Sequence, residues 1–576
     1  MRSTFAGLNT MVRGIQNNQL SLDTTGHNIT NASTEGYSRQ RVDSAATNYQ
    51  ERPALYGGVY VGGGVDVVAL NRARNIYADK QYWSENSARN LYQTYKTNYD
   101  KVETVFNDSK KTGILNAMQQ FYSAWVNLSN YASDAASRTA VLTKGNNLVD
   151  RIKTSATQLQ AQITAQYDEM RIQVEKLNGL TKEIARLNKN IMFAETNGGK
   201  ANDLRDQRDL LVDKISEITN VNVYEEANGQ YTVVSNGMSL VQRENSLTVE
   251  MSPPINNKQY GISDYTLRIK EAGGIGYVPM SGILKALQDT IVQDKGYIDK
   301  LADISATLLT TFNDVHKLGV GIDKEETSWL NFFGNNKYTA PSGTTYNQMQ
   351  YTWHVDPATG ERWMEAVGAT VNRTKVAGPP AQTTVTTAAT AATPEDRLKS
   401  MQIINALKVS DELMAQGGQN LVAARQIIDP ATGKKLVPTL GPGGSSYTYN
   451  DEWVNGTGDG TMAVELSKLF NIDQAGTMNP RGTTRAITDV SINQYYNGMM
   501  SRLGADAENV DKTLKQQDDL MTQIEQWRQS TSGVDWNEEL TNMLKFQTGY
   551  GACSRVLTSM DEMLDRLINS TGVVGR

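Results

Sequence analysis

The side chains that most often carry chemistry are scarce in this chain: three histidines, His27, His316 and His354, and one cysteine, Cys553. A zinc-type centre needs His, Cys or carboxylate ligands at short helical or loop spacings. No histidine here has such a neighbour, and no HExxH occurs. A serine nucleophile would need a GxSxG elbow, which is missing, and Cys553 has no histidine in a family context. Its place in an apolar heptad reads as a small buried apolar residue. His27, one residue before Asn28 in a helix-ending segment, reads as a polar boundary residue.

Glycine-rich and charged stretches offer no more. "GPGGSS" at 441–446 lacks the Gly-Lys-Ser/Thr ending of a phosphate loop. "GGVYVGGG" precedes strand-like sequence, so no helix N-terminus awaits an anion. The adjacent acids Glu225-Glu226 and Glu538-Glu539 read as solvated faces. "RDQRD" at 205–209 reads as surface pairs of small worth on a helix. No catalytic, cofactor-binding or metal residue is therefore assigned, and no cofactor is expected.

Composition narrows the class further. The 576 residues are 39% hydrophobic and 20% charged, with net charge −6. Acids and bases are mixed along the chain, which argues against nucleic acid and against a polybasic membrane anchor. One cysteine permits no intrachain disulfide. No stretch of about 18 apolar residues exists to span a bilayer. The start, "MRSTFAGLNTMV", has no apolar h-region, so the expectation is a cytoplasmic protein or one exported with its N-terminus intact.

What remains is a pattern that must position something other than a catalytic group. Phe5 and Val12 share one heptad position, continued by polar Gln19; Leu8, Ile15, Leu22 and Ile29 share the other, with Met1 in phase. Such a seam predicts a helix paired lengthwise with another. The last helix answers it: Asp535 can cap it, and Met543, Phe546, Tyr550, Cys553, Leu557, Met560, Leu564 and Leu567 alternate at three and four. A few half-flanked apolar residues barely offset the ordering entropy of a long helix pair. The ends are therefore expected to be poorly ordered in the free subunit and to fold on packing against neighbours.

Between the ends the texture changes several times. The fold class expected is multidomain α+β: terminal helices paired as a coiled coil, a long-helix bundle, and central β-rich inserted domains. The divisions are 1–54, N-terminal half of the coiled-coil core; 55–220, helical bundle with a hairpin at 55–70; and 221–277, a β-rich meander with Asn-Gly turns at Asn228 and Asn236. Next come 278–322, a helix returning to the bundle, and 323–395, an irregular insertion ending in the linker-like "AQTTVTTAATAATPED". The chain closes with 396–480, helical with a hairpin and a Gly/Pro-rich loop; 481–534, the bundle's C-terminal part; and 535–576, the second half of the core. Tyr-rich helices with sparse Leu suggest narrow bundles rather than a thick core.

"GHNITNASTEGYSRQRV" (26–42) resembles the N-terminal signature shared by flagellar rod, hook and hook-associated proteins: Asn28, Asn31, Gly36, Tyr37 and Arg39 match it. Thr30 stands where Ala is usual and Glu35 where Pro is common. "SGVDWNEELTNMLKFQTGYGACSRVLTSMDEMLDRLI" (532–568) is similar to the C-terminus of the same family. The resemblance is dense over the first 220 residues, 276–322 and the final 95, and weak at 225–275 and 335–395.

The resemblance implies a non-enzymatic axial protein of the bacterial flagellum, at the hook–filament junction. Its terminal helices would form the innermost layer of a hollow filament, and 28–40 would be the exit from that layer, where Gly36 permits a sharp turn. The implied partners are further copies of itself in a helical ring, hook protein, and a second junction protein. A flagellar export chaperone holding the C-terminal helix and the type III export apparatus complete them, with no nucleic acid and no membrane insertion. The implied location is extracellular, without a cleaved signal peptide. Another axial class such as hook protein is the near alternative. A secreted enzyme or adhesin carried on the variable middle is the distant one.

Overall fold

A computed structural model describes residues 6–570 apart from 48–49, 55–56, 107–111, 340–342, 357, 359–360, 377, 379–381, 390–396, 430, 434–438, 442–443, 472–484 and 489. Helix α1 (Ala6–Asn31) leads through strands β1 (Gln40–Ala46), β2 (Gln50–Ala54), β3 (Gly57–Val61) and β4 (Val65–Arg72) into a helical body. That body comprises α2 (Ile76–Phe106), α3 (Ile114–Asn130), α4 (Ala135–Ala194), α5 (Asn202–Ile218) and α6 (Gly282–Thr307). Short helices α7 (Asn313–His316), α8 (Ser400–Ala406) and α9 (Asp411–Met414) precede α10 (Thr461–Asn471), α11 (Ile492–Ser532) and α12 (Trp536–Ser570).

Local sequence explains the two longest bundle helices. The Asp134 side chain accepts from Ser137 N–H at 2.8 Å and starts the 60-residue α4. Its inward column, Leu148, Ile152, Leu159, Ile163, Leu177 and Ile184, is wholly excluded from solvent. Ser491 and Gln494 form a reciprocal capping box at the start of α11.

The core is thicker than the narrow bundle expected. Phe121, Trp125, Phe312, Phe332, Phe333 and Phe470 pack ring to ring, with centroids 4.8–6.2 Å apart. Phe332 and Phe333 lie beyond the expected bundle boundary at 322, in a segment read as insertion. They belong to the bundle core, packed on Phe121 and Phe312, and a two-residue aromatic run in a loop carries no helical period to reveal it.

The β material is also arranged differently from the expectation. Strands β3 and β4 do not pair with each other across 55–70. β3 pairs with β2, and β4 reaches back to β1, making one long arm. The meander holds 222–225, 231–235, 238–242 and 245–246 in sequence, with Asn236 and Gly237 both at positive φ in its turn. The Thr/Ala tract contains a strand, Gln382–Ala389, at the centre of a six-stranded sheet. Its neighbours are 362–376 on one side and 444–450 on the other. Thr and Val at alternating positions suit a half-buried strand even where composition looks like a linker. The Gly/Pro-rich region likewise contributes 439–441 and 444–450 to that sheet. Residues 323–395 and 396–480 therefore share one sheet.

Candidate assembly site

The two terminal helices run antiparallel, with α1 alongside residues 539–560 of α12. A Cβ on Gly7 would meet Met560 Cε at 2.7 Å, one on Gly14 would meet Cys553 Sγ at 3.1 Å, and one on Gly549 would meet Asn18 Oδ1 at 2.9 Å. Farther on, Asn28 Nδ2 donates to Glu539 Oε2 at 3.1 Å. Partner numbers fall as those of α1 rise, and the absent Cβ atoms at three glycines bring the backbones close. Cys553 is half-buried against Gly14 rather than sunk in a core.

The apolar seam is not what α1 turns toward α12. Gly7, Gly14 and Asn28 face the partner helix, and Ser21, of the same seven-residue column, is buried. Leu8, Ile15, Leu22 and Ile29 stand one residue on, about 100° round the helix. These four and Val12 are all half-buried, while the fully buried side chains of α1 are Ser21, Thr24, Thr25 and Asn28. On α12, Met543, Phe546, Leu557, Met560 and Leu564 are half-buried and Tyr550 is 40% exposed. Leu544, Val556, Met563 and Ile568 stand farther out still. Met1, Phe5 and the Leu567 side chain lie outside the described residues. The opposite flank of α1 carries the β arm, through an Arg13–Asp66 ion pair at 2.7 Å and Thr10 Oγ1 donating to Gly63 O at 3.3 Å.

The signature turn is where this pair meets the bundle. Gly36 adopts φ +79°, and a Cβ there would lie 3.0 Å from Leu210 Cβ, so both conformation and space select glycine. The Asn28 side chain closes the loop that follows: its Nδ2 donates to Gln40 O and its Oδ1 accepts from Gln40 N–H, both at 2.9 Å. Tyr37 O–H also donates to Asn28 Oδ1 at 2.8 Å. Burial and the nearby carboxylates of Asp203, Asp206 and Glu539 push that phenol well above its ordinary range, so it stays a donor. His27 Nδ1 lies 2.9 Å from the same hydroxyl. Asn31 Nδ2 donates to His27 O at 3.1 Å, finishing the helix from within.

Arg39 is the clasp between turn and α12. Its Nε donates to Glu539 Oε1 at 2.7 Å, its guanidinium also engages both oxygens of Glu538, and its N–H bonds Ser532 O at 2.9 Å. Burial works against the Arg39 charge, but the two carboxylates outweigh it and hold the guanidinium more firmly protonated. Glu539, 2% exposed, is therefore no solvated acid. Two acids of α5 are also inside: Ser38 N–H donates to Asp206 Oδ2 at 2.9 Å, and Arg72 Nη1 reaches Asp206 and Asp209 at 2.7 and 2.8 Å. Arg208 is fully buried over the Tyr231 ring. Reading "RDQRD" as surface pairs is thus wrong.

Among the described residues no group of three His, Cys, Asp or Glu is placed to hold a metal ion. No helix is long and apolar enough to cross a membrane.

Known proteins are similar to this chain along its length. A family profile described as the flagellar hook-associated protein FlgK helical domain matches residues 99–333. A second, the flagellar basal body rod FlgEFG protein C-terminal, matches 525–570. Flagellar hook-associated protein 1 of Bacillus subtilis (strain 168) is 25% identical over 610 residues, covering 100% of both chains. The chain is thus similar along its full length to flagellar hook-associated protein 1. The Salmonella typhimurium and Escherichia coli K12 proteins are each 25% identical over 98% of this chain and 99% of their own. A solved structure, the flagellar hook junction protein FlgK from Burkholderia pseudomallei, shares the fold with TM-score 0.53 and 18% identity. That match covers 79% of this chain and 100% of the solved one. The multidomain α+β architecture is therefore shared with that structure.

Proposed function

We infer that this chain is a structural protein of the bacterial flagellum that builds the hook–filament junction by self-assembly. Full-length similarity to proteins named for that role supports the reading. The observation that carries the mechanism is the offset on α1. Polar and glycine positions are spent on α12, while Leu8, Val12, Ile15, Leu22 and Ile29 remain half-buried beside it. A groove lined by α1 and α12 seams is completed by the same helices of adjacent copies, so terminal folding is coupled to assembly. Asn28, Asn31, Gly36, Tyr37 and Arg39 set where the layer ends and how the bundle leaves it.

Ring neighbours are further copies, with hook protein on one side and the second junction protein on the other. The same α12 seam, before assembly, fits the groove of an export chaperone. The chain reaches the outside through the flagellar type III apparatus. Its work is mechanical and it turns over no substrate.

Deleting 540–576 tests the assignment. The bundle should keep its cooperative unfolding transition while the truncated chain fails to enter flagella, scored by motility and immunogold labelling at the hook–filament junction. Normal motility with the truncated chain as sole copy would refute it.

A further inference from the structure

The sequence holds six Asn-Gly pairs, at 178–179, 197–198, 228–229, 236–237, 455–456 and 497–498. An asparagine followed by glycine carries a latent reaction: the glycine nitrogen can attack the asparagine side-chain carbonyl. No Cβ shields that nitrogen, and the glycine backbone turns freely. A folded chain suppresses the attack wherever it holds the amide side chain or the backbone around it.

Five of the six are held. Asn178 and Asn497 lie inside α4 and α11, where each glycine N–H is committed to the helical ladder. Asn228 Nδ2 donates to Gln230 Oε1 at 2.8 Å, and its Oδ1 accepts from Gln230 N–H at 3.1 Å. Asn236, at φ +44°, is fixed in the hairpin turn between Ser235 and Met238, and its Nδ2 donates to Val278 O at 2.8 Å. Asn455 is tied at three points. Its N–H donates to Gln426 O at 3.3 Å, its O accepts from Arg425 Nη1 at 3.2 Å, and its Nδ2 donates to Asp459 Oδ2 at 2.9 Å.

Asn197 is the exception. It is exposed in the loop between α4 and α5, and its side chain has no hydrogen-bond partner among the described residues. A Cβ on Gly198 or Gly199 would meet nothing within 4 Å. One contact restrains the nucleophile, Gly198 N–H to Glu195 O at 2.9 Å. That bond lies just past the end of α4, where helices fray. The base of the loop is clamped instead: Glu195 Oε1 accepts from Ala201 N–H at 2.9 Å and from Arg205 Nε at 2.6 Å. The tip can therefore rearrange while α4 and α5 stay in place.

We propose that Asn197 is a site of spontaneous deamidation, whose acid form accumulates with the age of the folded chain. Hydroxide takes the Gly198 N–H proton, the nitrogen bonds to Asn197 Cγ, and the side-chain amino group leaves with a proton as ammonia. Water then opens the resulting cyclic imide at one of its two carbonyl carbons. Opening at Cγ gives aspartate. Opening at the main-chain carbonyl gives isoaspartate, with the chain rerouted through the side chain. The sum is amide plus water to carboxylic acid plus ammonia, with nothing oxidised or reduced. Either product places a carboxylate three residues before Lys200, which lines the polar cleft beside Arg39 and Arg41. Conversion thus lowers the positive charge at that rim. The chemistry needs only the folded chain and water, whatever the chain assembles into.

The test is incubation of the folded full chain in mildly alkaline buffer, followed by proteolysis and mass spectrometry of all six pairs. The Asn197 peptide should be the first to gain the mass of an amide-to-acid exchange, and isoaspartyl methyltransferase should label it. The other five should still be amides at that time. Asn197→Gln, whose longer side chain does not close the same ring, should remove the early signal. In urea the six pairs should convert alike, because the fold makes the choice. Three results would each overturn the proposal: another pair converting before Asn197 in the folded chain, Asn197 remaining an amide there after the urea sample has converted, or Asn197 leading in urea as it does in the folded chain.

Discussion

The terminal helix pair and the bundle are both helical, yet they bury opposite kinds of side chain. In the bundle, Phe121, Trp125, Ile152, Leu159 and Phe312 are wholly enclosed. In the described part of α1 and α12 no apolar side chain is, and the buried residues are Ser21, Thr24, Thr25, Asn28 and Glu539. A bundle whose apolar columns meet inside one chain is stable alone. A pair that joins through glycine and polar positions leaves its apolar columns partly open to solvent. The lesson is that a heptad states how much apolar surface a helix owns, and only the register states who receives it.

The largest effect should come from the bundle. Phe121 touches Trp125, Phe312, Phe332, Phe333 and Phe470. Phe121→Ala should lower stability by about 3–5 kcal/mol in urea unfolding. A loss below about 1 kcal/mol would mean that this cluster is not the core and would erase the contrast.

Next in size is the clasp. Arg39→Ala leaves Glu539 buried with only Asn28 for a partner. Breaking a buried pair costs up to about 3–5 kcal/mol, reduced here because Arg39 keeps some solvent, so about 2 kcal/mol is expected. The loss should appear as faster amide hydrogen exchange in 20–40 and 532–545, with the α4 amides unchanged. Equal acceleration in both regions would show that the pair and the bundle unfold as one unit.

How much of this was legible beforehand follows from what each residue's partner is. The helical seams, the meander turns and the signature turn could be read because their causes are local: a period, an Asn-Gly dipeptide, a glycine needing positive φ. Glu539, Asp206 and Arg72 could not, since nothing beside them in sequence distinguishes a carboxylate facing water from one facing an arginine more than a hundred residues away. The strand at 382–389 was hidden by composition, because threonine serves linkers and sheets alike. The direction of the seam was hidden for a subtler reason. The helix was read by its apolar residues, whereas the close contact is made by Gly7, Gly14 and Gly549, which a hydrophobic count ignores.

The smallest effect on the free chain should accompany the largest effect on assembly. Ile15 and Leu22 are half-buried, so truncating either to alanine removes only part of a side chain already in contact with water. At about 25 cal/mol per Å² of apolar surface, the free chain should lose under about 1 kcal/mol per substitution. Under the proposed assembly the same side chains would be enclosed by adjacent copies, and each deletion would be repeated at every subunit. Ile15→Ala with Leu22→Ala should therefore leave urea unfolding of the free chain nearly unchanged and abolish its co-assembly with hook-length filaments in a sedimentation assay. Hydrogen exchange on the wild-type free chain adds an independent check. Amides of 6–20 and 545–570 should exchange rapidly, and those of α4 slowly, if apolar completion comes from outside. Strong protection of the terminal amides in the free chain, together with a large loss of stability in the double variant, would show that the pair is complete by itself. The offset of the seam would then be a local accident of packing rather than the basis of assembly.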